Sequence, residues 1–221
     1  MYVCVLDFEA TCCENDEVFK KCEMEIIEFP SILLKLENNN IQHISTFQEY
    51  VRPVIHPQLT DFCKNLTKIQ QETVDKADIL ENVYARHYKW LMENIQDNDV
   101  FFVTAGEWDL RIQLPRECKI KNIVVHDVYK KFLNIKDPYE DIHPNGCAGM
   151  MGMLEKLGIP HVGIHHSGLD DSKNICNIFI HIVKNHPNSI LKHVKDLKPV
   201  KKVKKGTNTH NAHNYGKKKE E

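Results

Sequence analysis

The apolar run Tyr2–Phe8, close to the N-terminus, constrains the fold more than any other feature of this 221-residue sequence. A strand that is exposed on one face alternates apolar and polar residues, whereas a strand buried on both faces is almost continuously apolar. The run contains two Val, which favour an extended backbone. It therefore predicts a buried strand in a sheet that has helices on both sides.

Short apolar runs bounded by turn residues predict further strands, and apolar residues repeating every three to four positions predict helices. Three strands precede the first long helix, and helices and strands then alternate, which indicates a mixed sheet covered by helices in an α/β fold. The further strands are predicted at Ile32–Leu36, Phe47–Val51, Val100–Thr104 and Ile123–Val125, and the helices at Ile79–Ile95, Cys147–Leu157 and Leu169–Val183.

The formal net charge of −2 conceals an uneven distribution along the chain. Residues 198–221 contain eight Lys and two Glu, a net charge of +6, so residues 1–197 carry −8. We interpret residues 1–197 as one domain and residues 198–221 as a disordered Lys-rich tail, because the tail has too few apolar residues to form a core. Three roles remain open for the tail: a phosphate contact, a nuclear-localisation signal or a solubilising segment.

Eight Cys without a C-x-x-C pair favour reduced thiols, and hence a cytoplasmic or nuclear protein. The sequence has no apolar stretch approaching the ~18 residues that a membrane span needs. We therefore expect no membrane partner.

Two carboxylates stand at the end of the first predicted strand. Asp7 and Glu9 are two residues apart, so an extended backbone directs both side chains to the same face. Two buried carboxylates repel each other, and Mg²⁺ or Mn²⁺ would neutralise them. The alternative is a strand end whose carboxylates simply reach solvent.

A third carboxylate, Asp109, follows the predicted strand Val100–Thr104. Ligands of open α/β sheets gather where strands lead into loops and helices, so this position is a candidate for the same site. The alternative is an acidic residue in the first turn of a helix, where the helix dipole favours it.

The segment around His166 opens the last predicted helix. Ser167 and Asp170 form an S-x-x-D capping pattern, which leaves Asp171 and His166 without a structural reason. Asp171, one turn into the helix, can face the sheet, and a neutral His166 can act as a general base near pH 7. The alternative is surface histidines beside an acid that the helix dipole favours.

Taken together, Asp-x-Glu on the first strand, Asp after a later strand and His-x4-Asp at a late helix resemble the DEDDh 3′–5′ exonucleases. Further segments are similar to one branch, the enhanced-RNA-interference exoribonuclease family, which includes the histone-mRNA 3′-end exonuclease. The resemblance extends over Tyr2–Val183. The segments that carry it are Asp7–Cys12, Glu25–Pro30, Asp61–Cys63, Leu66–Thr67, Gln71, Val74–Asp75, Met153–Gly158 and Ser167–Ile175.

The resemblance implies an RNase-H-like α/β fold with a five-stranded mixed sheet, and removal of nucleotides from RNA 3′ ends. By position, Asp7, Glu9, Asp109 and Asp171 would hold two divalent metal ions, Mg²⁺ or Mn²⁺, and His166 would be the general base. The products would be nucleoside 5′-monophosphates. The implied partner is RNA with a single-stranded 3′ end or overhang, bound by a monomer.

The same resemblance places Phe62 and Trp108 on either side of the terminal base, and Thr11 at the terminal ribose hydroxyls. Stacking on aromatic rings contributes ~1–3 kcal/mol per base and tolerates any base. The alternative for both rings is core packing. Two positions depart from the family pattern: Lys68 replaces a Gly after Leu66–Thr67, and Ile164-His165 replaces an Arg-Pro pair before His166.

Two other functions stay open at this point. One is a DEDDh exonuclease that acts on DNA 3′ ends, and the other is a catalytically silent RNA-binding protein with the same fold. All five catalytic positions are present, which argues against the silent protein. No residue of the sequence chooses among histone-mRNA ends, ribosomal-RNA ends and small interfering duplexes as substrates.

Overall fold

The fold is taken from a computed structural model, which describes residues 1–14, 23–37, 40–144 and 149–196. The predicted Lys-rich tail, residues 198–221, lies outside the described residues, as does the predicted helix start at Cys147. In the described ranges, no helix combines the length and the apolar character that a membrane crossing requires.

A mixed sheet forms the centre of the fold. The strands are β1 Tyr2–Val5, β2 Glu9–Ala10, β3 Ile26–Glu37, β4 Asn40–Tyr50, β5 Val100–Thr104, β6 Lys131–Asn134 and β7 Lys195–Asp196. β1 pairs in parallel with β5, β5 pairs in parallel with β6, and β1 pairs antiparallel with the long strand β3. β3 also pairs antiparallel with β2 and β4, and β6 pairs antiparallel with β7.

Helices cover both faces of this sheet. The α-helices are α1 Asp61–Thr67, α2 Gln71–Asp75, α3 Leu80–Ile95, α4 Leu114–Ile120, α5 Lys136–Ile142, α6 Met150–Leu157 and α7 Gly168–Asn185. A π-helical turn, Trp108–Gln113, leads directly into α4, and 3₁₀ turns occupy Asp127–Lys130, Pro187–Ser189 and Leu191–His193.

Alternate residues of the buried strands point into two separate cores. Val3 and Val5 of β1 belong to the core that α6 and α7 complete, whereas Cys4 belongs to the core that α3 and α4 complete. All three side chains are fully buried. The prediction of a strand buried on both faces, within a mixed sheet flanked by helices, is therefore confirmed.

The sheet nevertheless differs from the sequence prediction in two respects. The predicted strand Ile123–Val125 is wrong: these residues lie in a connection where Val124 is 77% exposed, and the strand is Lys131–Asn134. The sheet also has seven strands in the described residues rather than five, because two-residue strands, Glu9–Ala10 and Lys195–Asp196, are added to the five longer ones. Both short strands lack the length that produces a recognisable pattern.

This topology determines where a site can form. The parallel strands β1, β5 and β6 end at the same edge of the sheet, so the residues that follow them come close together. Asp7 follows β1, Asp109 follows β5 and Lys136 follows β6. Helix α7 packs against β3 and β1 on one face of the sheet and brings its first turn to the same edge.

Candidate active site

Three of the predicted carboxylates meet at this edge of the sheet. Asp7, Glu9 and Asp171 each offer an oxygen, and these oxygens all lie within 4.8 Å of one another. Glu9 and Asp171 are buried, and Asp7 is half-buried. The alternative of carboxylates that simply reach solvent does not describe Glu9, which is 8% exposed.

Asp109 lies beside this group and is held by the backbone of the segment that connects β1 to β2. Its Oδ1 accepts a hydrogen bond from the amide of Phe8 at 2.9 Å, and its side chain is buried. Asp109 is the second residue of the π-helical turn that begins at Trp108. The turn therefore aims the carboxylate back at the segment between β1 and β2.

The pKa values of these carboxylates are raised by burial and, for Asp7 and Glu9, by repulsion from neighbouring carboxylates. Burial, followed by the charges of Asp109, Asp171 and Glu28, raises the pKa of Asp7 well above its ordinary value. Burial, followed by the charges of Asp7, Asp171, Glu28 and Asp109, raises the pKa of Glu9 to about 10. Burial also raises the pKa of Asp109, to about 6. Four ionised carboxylates are therefore incompatible with this site unless a cation compensates them.

The donor set fits divalent cations. Oδ1 of Asp171 is buried and has no hydrogen-bond partner among the described residues, which leaves it free as a ligand. Lys136 opposes the pKa shift of Asp7, but the repulsion from the other carboxylates outweighs it. Because every donor is a carboxylate oxygen, the site suits hard ions such as Mg²⁺ and Mn²⁺.

The backbone of His166 contacts one of the carboxylates directly. Its amide donates to Oδ2 of Asp171 at 2.9 Å, and its φ of 67° is left-handed, which is rare for a residue other than Gly. Burial, assisted by the charge of His165, lowers the pKa of the His166 imidazole. The ring is therefore neutral near pH 7, as a general base requires.

The start of α7 is capped by a residue that the sequence pattern did not indicate. The predicted Ser167–Asp170 capping box is wrong, because the Ser167 side chain makes no cap hydrogen bond. Instead, Oε2 of Glu28 accepts from the amide of Gly168 at 3.0 Å, and Oε1 accepts from Leu169 at 3.3 Å. Asp170 accepts from the amide of Ile164 and so shapes the preceding loop.

Gly168 lets this helix start approach the first strand closely. A Cβ at this position would lie 2.6 Å from the backbone oxygen of Asp7 and 3.1 Å from Oε2 of Glu28. The first distance is shorter than a real Cβ contact, so the close approach to the backbone of Asp7 requires Gly, and the second would force the Glu28 carboxylate to shift slightly. No local sequence pattern indicates these roles of Glu28 and Gly168, although both residues belong to the segments that carry the family resemblance.

The residues expected to contact a substrate take different positions. Phe62, on α1, is 40% exposed, and Trp108 is half-buried against the α3/α4 core beside Asp109. Thr11 is buried, and its hydroxyl accepts from the amide of Glu25 at 2.9 Å. An exposed Phe62 is available to a base, whereas the hydroxyl of Thr11 is already engaged as an acceptor; the roles of all three residues stay predictions.

Lys68, which stands where the resemblance leads one to expect Gly, lies in a left-handed turn. It is the C-cap of α1, with φ 64° and ψ 2°, and its amide donates to the carbonyl of Lys64 at 3.0 Å. The backbone therefore adopts the left-handed conformation even though a side chain is present.

Comparison with known proteins agrees with this geometry. The family model described as "Exonuclease" (RNase_T) matches residues 4–179. The human protein "ERI1 exoribonuclease 3" is 43% identical over 183 residues, which are 80% of this chain and 52% of that protein. The chain thus spans about half the length of the curated relatives it matches.

Two solved structures are similar to this chain in both fold and sequence. The nuclease domain of 3′hExo, a DEDDh family member bound to rAMP, is 35% identical with a TM-score of 0.79, over 89% of this chain and 97% of that one. A 3′-exonuclease that recognises the histone mRNA stem-loop is 36% identical with a TM-score of 0.76, over 88% and 84% of the two chains. The chain therefore belongs to the exonuclease family, as a member of its DEDDh group.

Proposed function

We propose that this protein is a metal-dependent 3′–5′ exoribonuclease. The observation that carries the proposal is the convergence of Asp7, Glu9 and Asp171 within 4.8 Å, beside Asp109 and the neutral imidazole of His166. The names of the relatives, which are exoribonucleases, support the same activity. Family membership agrees with the geometry, but the activity of this chain is our inference.

Asp7, Glu9, Asp109 and Asp171 would hold two divalent cations, Mg²⁺ or Mn²⁺. When bound, such a pair supplies charge that stabilises the attacking and leaving oxygens of an in-line displacement at phosphorus. The carboxylates would hold this charge beside the scissile phosphate, and their burial would strengthen its effect by lowering the local dielectric constant. The protein thereby provides the arrangement of charge that phosphodiester hydrolysis needs.

His166 would accept the proton of the attacking water. A general base must be unprotonated at working pH, and the lowered pKa of His166 satisfies that condition. The hydrogen bond from its backbone amide to Asp171 holds the backbone of the base next to the carboxylate group. Attack at the last phosphodiester would release a nucleoside 5′-monophosphate.

The substrate would be RNA with a single-stranded 3′ end or an overhang. The related structures bind rAMP and a histone mRNA stem-loop, which supports an RNA ligand for this chain. Phe62 and Trp108 would stack on either side of the terminal base, and Thr11 would contact the terminal ribose. We further propose a monomer located in the cytoplasm, the nucleus or both.

Parallel digestion of matched RNA and DNA oligonucleotides tests the proposal. With Mg²⁺ or Mn²⁺ present, we expect the RNA to shorten from its 3′ end faster than the DNA of the same sequence. Faster DNA turnover would instead assign the chain to DNA 3′ ends, and an intact 3′-overhang RNA would indicate a silent RNA-binding protein.

A further inference from the structure

A second group of ligand atoms overlaps the carboxylate site and includes a residue that the proposed reaction does not use. His165, His166 and Asp171 each offer one ligand atom, and these atoms all lie within 4.8 Å of one another. The two imidazole rings are stacked, with centroids 3.9 Å apart and planes inclined by 23°. A third imidazole, His161, lies beyond them, its centroid 6.3 Å from that of His165.

This group differs chemically from the carboxylate group. Imidazole nitrogens suit borderline cations such as Zn²⁺, whereas Mg²⁺ prefers oxygen ligands. Two imidazoles and one carboxylate form a three-ligand set of the kind that holds Zn²⁺ with one open position. We propose that His165, His166 and Asp171 bind Zn²⁺ or a similar borderline divalent cation, and that this binding competes with the metal-holding carboxylates for Asp171.

Two observations make such a site attainable. Oδ1 of Asp171 is buried without a hydrogen-bond partner among the described residues and is free to become a ligand. His165 is exposed, so its ring can turn without disturbing the core. Zn²⁺ lies 2.0–2.1 Å from imidazole nitrogens, which requires neighbouring ligand atoms to be about 3.3 Å apart. Rotation of the exposed His165 ring can shorten its distances to the ligand atoms of His166 and Asp171.

The site would make the enzyme sensitive to the identity of its metal. Zn²⁺ bound there would remove Asp171 from the carboxylate group and would engage the lone pair that His166 needs as a base. Both effects would stop hydrolysis even when Mg²⁺ is abundant. This inhibitory consequence rests on the proposed function, whereas binding of Zn²⁺ does not.

Binding is tested by titrating the metal-free full chain with Zn²⁺ in a calorimeter, and with Co²⁺ while its visible absorption is recorded. His165→Ala should weaken binding at one site by about tenfold or more, since even loss of an outer-sphere partner costs metal sites about 10–100-fold. His186→Ala is the matched control, because His186 is exposed at the opposite end of α7. Other histidines and cysteines of the chain contribute equally to all three proteins and cancel in the comparison.

Equal Zn²⁺ affinity and equal Co²⁺ spectra for the wild type and the His165→Ala variant would overturn the proposed site. A loss of binding in the His186→Ala variant as large as in the His165→Ala variant would also overturn it. Neither outcome depends on nuclease activity, so failure of this site is distinguishable from failure of the proposed function.

Inhibition is tested with RNA hydrolysis at saturating Mg²⁺ and increasing Zn²⁺. With each protein's rate expressed relative to its own rate without Zn²⁺, we expect the His165→Ala variant to need about tenfold more Zn²⁺ for half-inhibition. The same Zn²⁺ dependence for both proteins would contradict the competition.

Discussion

Oε2 of Glu28 lies 3.0 Å from the backbone nitrogen of Gly168, so a residue of β3 caps the helix that carries Asp171. The other oxygen of Glu28 accepts from Leu169 and from the side-chain amide of Gln48. A carboxylate at a helix N-terminus satisfies free amides and interacts favourably with the helix dipole. Glu28 therefore fixes the start of α7, and with it the position of Asp171 relative to Asp7.

Glu28→Gln should lower both stability and turnover. An amide group has only one acceptor oxygen, so either Gly168 or the pair Leu169 and Gln48 loses its acceptor. Buried hydrogen bonds to charged groups contribute about 1.5–3 kcal/mol, and we expect a loss of stability in this range by urea unfolding with Mg²⁺ present. RNA turnover should fall as Asp171 shifts.

Glu37→Gln provides the matched control, because Glu37 ends the same strand but is exposed and forms an ion pair with Lys35 at the surface. Exposed ion pairs contribute about 0–1 kcal/mol, so this variant should behave like the wild type. If Glu28→Gln behaves in the same way, Glu28 does not position α7.

Ser167→Ala should have little effect, although Ser at an N-cap usually contributes about 1 kcal/mol. The Ser167 side chain makes no cap hydrogen bond, because Glu28 already accepts from the amides of the first turn. We expect a change in the free energy of unfolding within about 0.5 kcal/mol. A loss near 1 kcal/mol or more would show that Ser167 caps the helix after all.

Lys68→Gly should stabilise the protein. Lys68 has a φ of 64°, a conformation that costs a residue with a side chain about 1–2 kcal/mol and costs Gly almost nothing. After the larger chain entropy of Gly is subtracted, a gain of about 0.5–1 kcal/mol is expected by urea unfolding.

The control for this substitution is Lys76→Gly, at an exposed C-cap where φ is −86°. Glycine has no conformational advantage there, and the variant should lose about 0.5–1 kcal/mol. Destabilisation by both substitutions would exclude strain at Lys68.

Glu9→Gln should stabilise the metal-free protein at neutral and alkaline pH. The pKa of Glu9 rises on folding from an ordinary value near 4.5 to about 10, so the folded state binds more protons than the unfolded state in that range. The stability that Glu9 contributes is therefore fully present below about pH 4.5 and is lost as the pH increases towards 10. Each pKa unit corresponds to about 1.4 kcal/mol, so even partial removal of the destabilisation by ionised Glu9 is measurable.

Thermal unfolding in EDTA between pH 5 and pH 9 tests this prediction, with Glu37→Gln as the control. The Glu9→Gln variant should show a shallower decline with pH and a smaller rise in Tm on addition of Mg²⁺. A variant that is less stable than the wild type at pH 8 in EDTA would contradict the proposed repulsion among the carboxylates.

Local patterns predicted the parts of the structure that depend on neighbouring residues. The strand Val100–Thr104 is confirmed residue for residue, and the helix predicted at Ile79–Ile95 begins one residue later. The two-residue spacing of Asp7 and Glu9 predicted neighbouring carboxylates, and their oxygens do lie within 4.8 Å of one another, although β1 ends at Val5 and Glu9 begins β2.

Long-range relationships could not be predicted in this way. The cap of α7 joins residues 140 positions apart, and the local Ser167–Asp170 pattern offered a plausible but incorrect alternative. Likewise, Ile123–Val125 has the composition of a strand, but its place in the sheet is taken by Lys131–Asn134. Which apolar run pairs with β5 is decided by the tertiary fold rather than by composition.

Hydrolysis of a 5′-labelled RNA by the wild type and by His166→Ala tests the central claim most directly. The account predicts that the wild type shortens the RNA stepwise from its 3′ end, releases nucleoside 5′-monophosphates and stops in EDTA. Loss of the general base should lower turnover by about 10²–10⁴-fold while RNA affinity persists, and His186→Ala should retain full activity. Undiminished turnover by His166→Ala, or wild-type activity in EDTA, would contradict the account.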